Sequence, residues 1–435
     1  MTDTDSPSGQ FFYPQDAAID KLSITTNGGK EFDLKYLMVD LSIFEDIYSF
    51  VMSGYVLIKD GIGIIEKMNL TGNELITVNF GKTSKDGGDP LYFRLYSIPK
   101  RNAVGNLSTE YVKLHFCSEE LIISEQTKIT KSYKGQDIST IIRSILTDYL
   151  KVPPYRPQYI QATTGVYDFN IPSVKPLEAI SWLSNYARPS ENSNMKLADM
   201  LFFETQSGFN FTSLSKLSSN SISRTYKYQQ QNISPEGPAE DIISILDYEF
   251  VKAFDTLGEI SSGAYANKLL SLDPLTRTAC TTIFNYATDY KKILNPGDTF
   301  VENGKNLTGA FNSVIKMAIG NSNQMKNSYI TQGSVAPDIF LETFVPNRTA
   351  QISLANYTVV KIKIPGDPFI TAGKTVQFNF PSLSSEKGLD KNYSGKYLVT
   401  AVRHLIQSQG IYQTVLELAK DSNPQYTTFT NNPLG

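Results

Sequence analysis

Apolar and polar side chains alternate along several stretches of this chain, most regularly near its C-terminal end. In residues 411–420 every second position is largely apolar, namely Tyr412, Thr414, Leu416 and Leu418. The positions between them include the polar residues Gln413 and Glu417. Because successive side chains of a strand point to opposite faces, this alternation predicts a half-buried β-strand. A similar run precedes it, and Ser408–Gly410 between the runs has the composition of a turn. Residues 393–420 are therefore predicted to form a long β-hairpin that closes a sheet or barrel.

The same strand pattern recurs through residues 18–121, interrupted by one short helical segment. Ile62 and Ile65 in that segment are three residues apart, which is the spacing of one helical face. His115 lies between alternating apolar residues and is predicted to point away from their core. The region is predicted to be a first β-barrel or closed sandwich, with strands at 22–25, 32–44, 50–58, 74–80, 91–98 and 111–117.

Helical spacing replaces alternation in residues 122–238, which are predicted to form an α+β insertion. Asp137 is a suitable N-cap for a first helix, whose apolar face consists of Ile138, Ile141, Ile142, Ile145, Leu146 and Tyr149. A second helix is predicted to begin near Pro176, because the fixed φ of proline suits a first helical turn. A hairpin at 201–214 and a polar linker at 218–238 follow.

The order of elements in the first barrel recurs later in the chain. In residues 243–272 a strand-like run is followed by Asp255, a short amphipathic turn and a second strand-like run. Residues 50–80 have the same order, with Asp60 as the aspartate. The closing hairpins of the two regions also correspond, and each contains one histidine. This repeated order suggests a duplicated barrel.

The predicted fold class is mainly β with α+β insertions, in which two related barrels carry inserted helical or mixed domains. A helix is predicted in the second insertion from the spacing of Leu307, Phe311, Val314, Ile315 and Ala318. The second barrel is predicted to resume near Ala350, with strands at YTVVKIKI (357–364) and TVQFNF (375–380). The predicted parts are a flexible arm at 1–17, the first barrel at 18–121, the first insertion at 122–238, the second barrel at 239–286 and 345–423, its insertion at 287–344, and a tail at 424–435.

Composition favours β-structure and protein–protein contacts over nucleic-acid binding. Charged residues make up 19% of the chain, below the roughly 25% of typical globular domains, and Tyr (25) and Phe (24) dominate the aromatics. Such residues suit both strands and interface cores, and the composition does not separate the two interpretations. The formal net charge of −3 comes without a basic stripe, so no nucleic-acid recognition is predicted. Neither a secretory signal nor a membrane-spanning stretch is predicted.

Few residues suggest chemistry, and no catalytic, cofactor-binding or metal site is predicted. The two histidines, His115 and His404, lack partners at metal-ligand spacing, although His115 and Cys117 share a strand face. Cys117 and Cys280 are predicted to be buried free thiols. Gly61 and Gly63 form only a fragment of a dinucleotide fingerprint, for which a turn is the simpler explanation.

Neighbouring acids and strand-flanking bases are predicted to be structural. A glycosidase needs two carboxylates that converge across a cleft, but adjacent acids more often mark a solvated edge. The acid pairs are Glu45 with Asp46, Glu119 with Glu120, and Glu240 with Asp241. Basic residues beside strands are predicted to protect sheet edges from pairing, namely Lys100, Arg101, Arg403 and Lys420.

Three stretches resemble the central hub proteins of contractile-phage baseplates, which are related to the hub part of type VI secretion spikes. They are GYVLIKDGIGIIEKMNLTGNELITVNF (54–80), DTLGEISSGAYANKLLSLDPLTRTACTTIFNY (255–286) and GKYLVTAVRHLIQSQGIYQTVLELAKD (395–421). The resemblance covers both predicted barrels, about half of the chain. The two insertions match in position and general character rather than in motif.

The resemblance implies a structural virion protein of the tail baseplate rather than an enzyme. It implies a homotrimer in which each subunit contributes two tail-tube-like barrels, so that three subunits form a pseudo-six-fold ring. Such a ring adapts the hexameric tail tube protein to the trimeric central spike protein. Wedge and tape measure proteins are further implied partners. Assembly is expected in the bacterial host cytoplasm, without membrane insertion by this chain and without cofactors.

Two other functions remain alternatives at this point. The first is a receptor- or glycan-binding tail protein, which exposed aromatic side chains on loops would favour. The chain has a single Trp182, which lies in a predicted helix. The second is an extracellular glycoside hydrolase, which would lose activity when one acid pair is mutated.

Overall fold

The computed structural model shows a mostly β protein with several short helices. It describes residues 17–61, 63–82, 88–103, 109–192, 199–228, 243–273, 277–285, 314–319, 341–382, 388–390 and 392–421. No described helix is both long enough and apolar enough to cross a membrane.

The strands of the described residues fall into a first group before residue 121 and later groups after it. The first group is β1 (Ala18–Thr25), β2 (Glu31–Asp33), β3 (Met38–Asp46), β4 (Ser53–Asp60), β5 (Leu75–Gly81), β6 (Leu91–Ala103) and β7 (Glu110–Cys117). The strands of the middle region are β8 (Ile129–Gln136), β9 (Gln158–Ile160), β10 (Tyr167–Val174), β11 (Met200–Thr205), β12 (Gly208–Ser213) and β13 (Ile222–Lys227). The remaining strands are β14 (Asp247–Lys252), β15 (Ala266–Asp273), β16 (Thr278–Asn285), β17 (Val314–Ile319), β18 (Thr358–Pro365), β19 (Thr375–Asn379), β20 (Gly395–Gln407) and β21 (Ile411–Lys420).

The helices of the described residues are short, and most lie in the middle region. They are α1 (Ile64–Met68), α2 (Glu119–Gln126), α3 (Ile138–Asp148), α4 (Pro176–Ser184), α5 (Leu214–Ser219), α6 (Thr256–Ser262) and α7 (Leu341–Ala355). A single turn of 3₁₀ helix covers Ser190–Asn192.

One 13-stranded sheet joins the two halves of the chain. Its strand order is β14-β18-β21-β20-β3-β4-β7-β6-β5-β1-β2, and β19 pairs with both β20 and β13. The halves meet where β20 pairs with β3, with His404 opposite Ile43. The predicted hairpin is confirmed as β20 and β21, and the alternating side chains of β21 from Tyr412 to Leu418 are buried as predicted.

Two hydrophobic cores lie along this sheet and share the β20–β21 hairpin. The first core is built from β1 and β3 to β7, and Ile406 and Tyr412 of the hairpin complete it. The second core is built from β13, β18 and β19, and Val402, Leu416 and Leu418 of the same hairpin belong to it. Because one hairpin contributes to both cores, the two halves cannot shift relative to each other without disturbing both.

The middle region has a hydrophobic core of its own. The predicted helical face of α3 is buried there, and α4 begins at Pro176 as predicted. Trp182 on α4 packs against Phe169 and Tyr186, with ring centroids 5.3 and 5.7 Å away. The single tryptophan therefore belongs to this packing.

The N-cap of α3 allows a direct test of the local prediction. The Asp137 carboxylate accepts a hydrogen bond from the Thr140 backbone N–H at 3.0 Å. Replacing Asp137 with alanine is expected to lower the free energy of unfolding by about 1 kcal/mol, because an N-terminal N–H loses its partner. Asp148→Ala at the other end of the helix is the matched control, and chemical denaturation is the measurement. Equal effects of both changes would contradict the capping role.

The prediction of a polar linker at 218–238 is wrong for its first part. Helix α5 extends to Ser219, and β13 pairs in parallel with β19, with Tyr226 opposite Phe378. Tyr226 is fully buried in the second core. The serine-rich composition masked this strand because its pairing partner lies about 150 residues later in the chain.

The helix predicted in the second insertion is also wrong where the structure describes it. Val314–Ile319 forms β17, which pairs in parallel with β15, and Leu307 and Phe311 lie outside the described residues. A short apolar run fits either a strand or a helix, and here pairing with β15 decides. The strands predicted at 357–364 and 375–380 are confirmed as β18 and β19, and α7, which ends at Ala355, precedes them.

The repeated order of strand, short helix and strand is present in both halves. It comprises β4, α1 and β5 in the first half, and β14, α6 and β15 in the second. The two copies differ in their last strand, because β5 lies in the large sheet whereas β15 pairs with β16 and β17 in a separate sheet. The strands β15 and β16, predicted as part of the second barrel, therefore pair outside the large sheet. The exact domain boundaries stay a prediction.

Candidate functional site

The histidines and cysteines are placed in different surroundings. His404 is fully buried, whereas His115 is half-buried and lies 5.8 Å from the Tyr55 ring, facing away from the first core as predicted. Cys117 is buried, and burial raises its thiol pKa to about 12. Cys280 is exposed, so the prediction of a buried thiol is wrong there. Among the described residues, no group of three or more His, Cys, Asp or Glu side chains could hold a metal ion.

Two of the acids predicted to lie on solvated edges are buried instead. Glu45 is 1% exposed and accepts hydrogen bonds from the backbone N–H groups of Gln206 (2.9 Å) and Ala372 (2.8 Å). Glu120 is buried and pairs with Arg156, while its exposed neighbour Glu119 pairs with Arg94. The remaining pair at 240–241 lies outside the described residues. Each of these described glutamates therefore holds parts of the fold together.

Arg156 links two buried carboxylates at the junction between the insertion and the first half. It pairs with Glu120 on α2 and with Glu204 on β11, and its guanidinium lies 4.7 Å from the Phe209 ring. Glu204 also accepts a hydrogen bond from the Met52 N–H at 2.9 Å. Burial raises the pKa of Glu204 to about 7, although Arg156 opposes that rise. The sequence interpretation missed this cluster; the available signal was a glutamate ending the apolar run of β11.

A second polar chain fixes the β11–β12 turn to the shared hairpin. The Gln206 side-chain amide lies 2.7 Å from Nε2 of His404, and Nδ1 of His404 lies 2.8 Å from the Tyr412 hydroxyl. If the amide nitrogen donates, the imidazole carries its proton on Nδ1 and donates it to Tyr412. Burial lowers the pKa of His404 to about 3, so the ring is neutral at physiological pH. This arrangement is a structural contact and brings no nucleophile or second base to the histidine.

Two of the four basic residues predicted to protect sheet edges do not lie at an exposed edge. Lys420 is 1% exposed, donates to the Asn392 carbonyl at 2.8 Å and lies 5.1 Å from the Tyr397 ring. Arg403 is on β20, in the middle of the large sheet. The prediction is therefore wrong for Lys420 and Arg403, and the side chains of residues 100 and 101 lie outside the described part.

The face of the large sheet opposite the cores is polar and carries both charge signs. Arg403 lies 5.6 Å from the Phe44 ring and donates to the Tyr55 hydroxyl at 3.0 Å. Tyr55 donates to Asp40 at 3.2 Å, and the Lys113 ammonium lies 3.6 Å from the Tyr55 ring. These side chains connect β20, β3, β4 and β7 across the junction of the two halves. The result is an extended polar surface with charges of both signs rather than a pocket.

A cavity of about 1060 Å³ lies where the first half, the insertion and the second half meet. Three exposed aromatic side chains are among its lining residues, namely Tyr92 (54% exposed), Tyr155 (82%) and Phe369 (57%). Arg94, Arg156 and Lys374 line it together with acidic and amide side chains. The cavity has the size and mixed polarity of a binding cleft.

One relative of known description resembles this chain over most of its length. The chain is 24% identical over 405 residues to the probable baseplate hub protein gp334 of Vibrio phage KVP40, which covers 88% of this chain and 89% of that protein. No family model matches the chain. The predicted resemblance to baseplate hub proteins is confirmed by this similarity.

Two solved tail proteins share the fold. The tail protein from Neisseria meningitidis MC58 has a TM-score of 0.53 at 11% identity, over 92% of this chain and 96% of that one. The 43 kDa tail protein of prophage MuSo2 from Shewanella oneidensis has a TM-score of 0.54 at 10% identity, over 92% of this chain and 98% of that one. Identities this low show the fold alone, and they agree with the predicted mainly β class.

Proposed function

We propose that this chain is a structural protein of a phage tail baseplate, and more specifically its central hub. The observation that carries the proposal is the similarity to the KVP40 hub protein, which spans nearly the full length of both chains. The buried acids and the buried His404 support it, because among the described residues they serve the packing of the fold. The chain works by assembly and has no enzymatic activity in this proposal.

The proposed hub is a homotrimer that adapts the hexameric tail tube to the trimeric central spike. Two hydrophobic cores side by side on one continuous sheet support this symmetry, since three such subunits present six comparable units. The recurring order of strand, short helix and strand supports a relation between the two halves. The two halves are accordingly proposed to be related, tube-like barrels.

The proposed partners are the tail tube protein and the spike protein, with wedge and tape measure proteins at the periphery. The proposed location is the tail baseplate of the virion, after assembly in the host cytoplasm. The polar, charged face across β20, β3, β4 and β7 suits the water-filled interior of a ring better than a dry contact, because interface cores are depleted of charged residues.

Light scattering of the purified protein, alone and mixed with its candidate spike and tube proteins, tests this proposal. A mass three times that of the chain, or trimers that form only with the spike, is expected. A monomer at every concentration, unchanged by either protein, would overturn the hub.

A second candidate function is receptor or glycan binding at the cavity. The specific observation in its favour is the group of exposed aromatic side chains that line the cavity, Tyr92, Tyr155 and Phe369, since aromatic rings suit sugar and peptide ligands. The light-scattering experiment separates the two candidates, because a receptor-binding module needs neither spike-dependent assembly nor tube-dependent assembly.

A further inference from the structure

The small sheet formed by β15, β16 and β17 has one covered face and one open face. Helix α7 covers the first, where Phe284 packs against Ala350 and Leu354. The opposite face carries four exposed apolar side chains, Leu272 (42% exposed), Ile283 (60%), Ile315 (59%) and Met317 (80%). An exposed apolar patch of this kind marks an interaction surface when its members are contiguous.

Strand register shows that these side chains form one patch. Ile283 on β16 lies opposite Lys268 on β15, which in turn lies opposite Ile315 on β17. One step along, Leu270 lies opposite Met317. Residues opposite each other in neighbouring strands point to the same face, so the apolar side chains surround Lys268. We refer to this surface, Lys268, Leu270, Leu272, Ile283, Ile315 and Met317, as the open face.

The charge of Lys268 restricts what the open face can bind. Its ammonium has no ion pair among the described residues, and it lies in the centre of the apolar side chains. If two open faces packed against each other, the two ammonium groups would be brought together in a desolvated contact, which is unfavourable. A suitable partner surface is apolar and carries acidic side chains.

A surface with these properties lies on the same chain, at the end of β14 and the start of α6. Val251, Phe254 and Leu257 are exposed there by 50%, 66% and 81%. Glu249 on β14 and Asp255, the N-cap of α6, are also exposed. β14 ends the strand order of the large sheet, so one of its edges is unpaired in the described part of the chain. We refer to these five residues as the acidic edge.

We propose that the open face of one copy binds the acidic edge of a neighbouring copy. The apolar side chains would form the dry centre of the contact, and Lys268 would meet Glu249 or Asp255. Two different surfaces give a head-to-tail contact, which closes into a ring when the rotation between copies permits. The inference rests on the proposed trimeric hub and names the surfaces that hold the trimer together.

Substitution of Met317 with glutamate tests the contact through the solution mass. A buried acid beside the acidic edge is expected to raise the concentration needed for trimer formation at least tenfold. Leu389→Glu is the matched control, because Leu389 is also exposed, by 50%, and lies outside both surfaces. Lys268→Glu is expected to weaken the trimer as well, and adding Glu249→Lys is expected to restore it. An unchanged mass for Met317→Glu, even with lowered stability, would show that another part of the chain covers the open face and would overturn the inference.

Cross-linking keeps the inference testable if trimers are weak. Cys280 lies on β16 and is first replaced with serine, and then Met317→Cys and Leu257→Cys are combined in one chain. A short bis-maleimide is expected to join the double variant into covalent trimers, whereas neither single variant forms covalent species. Dimers of the single Met317→Cys variant, or no cross-linked species at high protein concentration, would overturn the contact.

The experiments distinguish an error in the proposed contact surfaces from an error in the proposed hub function. Wild-type trimers that are insensitive to Met317→Glu would overturn the proposed surfaces and leave the hub intact. A wild-type chain that stays monomeric even with the spike would overturn the hub itself.

Discussion

Replacing Arg156 with glutamine is expected to lower the free energy of unfolding by about 3–5 kcal/mol at pH 8, a large part of the stability of a typical domain. Arg156 is the shared partner of Glu120 and Glu204, whose side chains are 4% and 0% exposed. Without the guanidinium, both carboxylates remain buried without a counter-charge. The loss is expected to be smaller at pH 6, because burial already raises the pKa of Glu204 to about 7 and protonation then removes one charge. Urea denaturation at both pH values is the measurement.

Two further variants separate this role from a general effect of losing an arginine. Arg94→Gln breaks the ion pair with Glu119, whose side chain is 51% exposed, and is expected to cost less than about 1 kcal/mol. Adding Glu204→Gln to Arg156→Gln is expected to recover part of the loss, since only one buried carboxylate then lacks its partner. If Arg156→Gln lowered the free energy of unfolding by as little as Arg94→Gln, the ion-pair cluster of Arg156, Glu120 and Glu204 would have to be solvated.

Replacing Glu45 with glutamine is expected to change the pH dependence of stability. Burial raises the pKa of Glu45 from 4.5 to about 7. The folded state therefore binds a proton more tightly than the unfolded state, and stability contributed by this group is present below pH 4.5 and lost as the pH rises through 7. Relative to the wild type, the variant is expected to gain about 2–3 kcal/mol between pH 5 and pH 8, at 1.36 kcal/mol per pKa unit.

The quantity to compare is the difference in the free energy of unfolding between the Glu45→Gln variant and the wild type at each pH, because other groups titrate in the same range. The pKa of Glu204 is also raised by burial, so this group, like Glu45, lowers the stability of the fold as the pH rises. His404 contributes with the opposite sign, since its pKa is lowered to about 3 and its stabilisation is lost as the pH falls below about 6.5. Asp20→Asn is the control, because Asp20 is an exposed acid on β1 and lies outside both proposed contact surfaces. Parallel curves for Glu45→Gln and wild type would contradict the burial of Glu45.

Local periodicity was sufficient to predict several elements of this fold. The alternation in β21, the apolar face and N-cap of α3, and Pro176 at the start of α4 each depend on residues close in sequence. The resemblance to hub proteins rested on the same regular segments. The buried polar contacts of the junction were not predicted, because Glu45 and Gln206 are 161 residues apart and nothing local shows that they meet.

The sequence by itself determined those strands and helices in which the spacing of apolar residues equals the repeat of the element. That repeat is set by backbone geometry alone. Only the tertiary structure decided which sheet each strand joins. β13 gains its partner from β19, and β17 becomes a strand because β15 offers unpaired backbone groups. Tertiary structure also decided that Glu45, Glu204 and Lys420 are buried, because a charged side chain enters a core only where distant residues supply its hydrogen bonds and counter-charges.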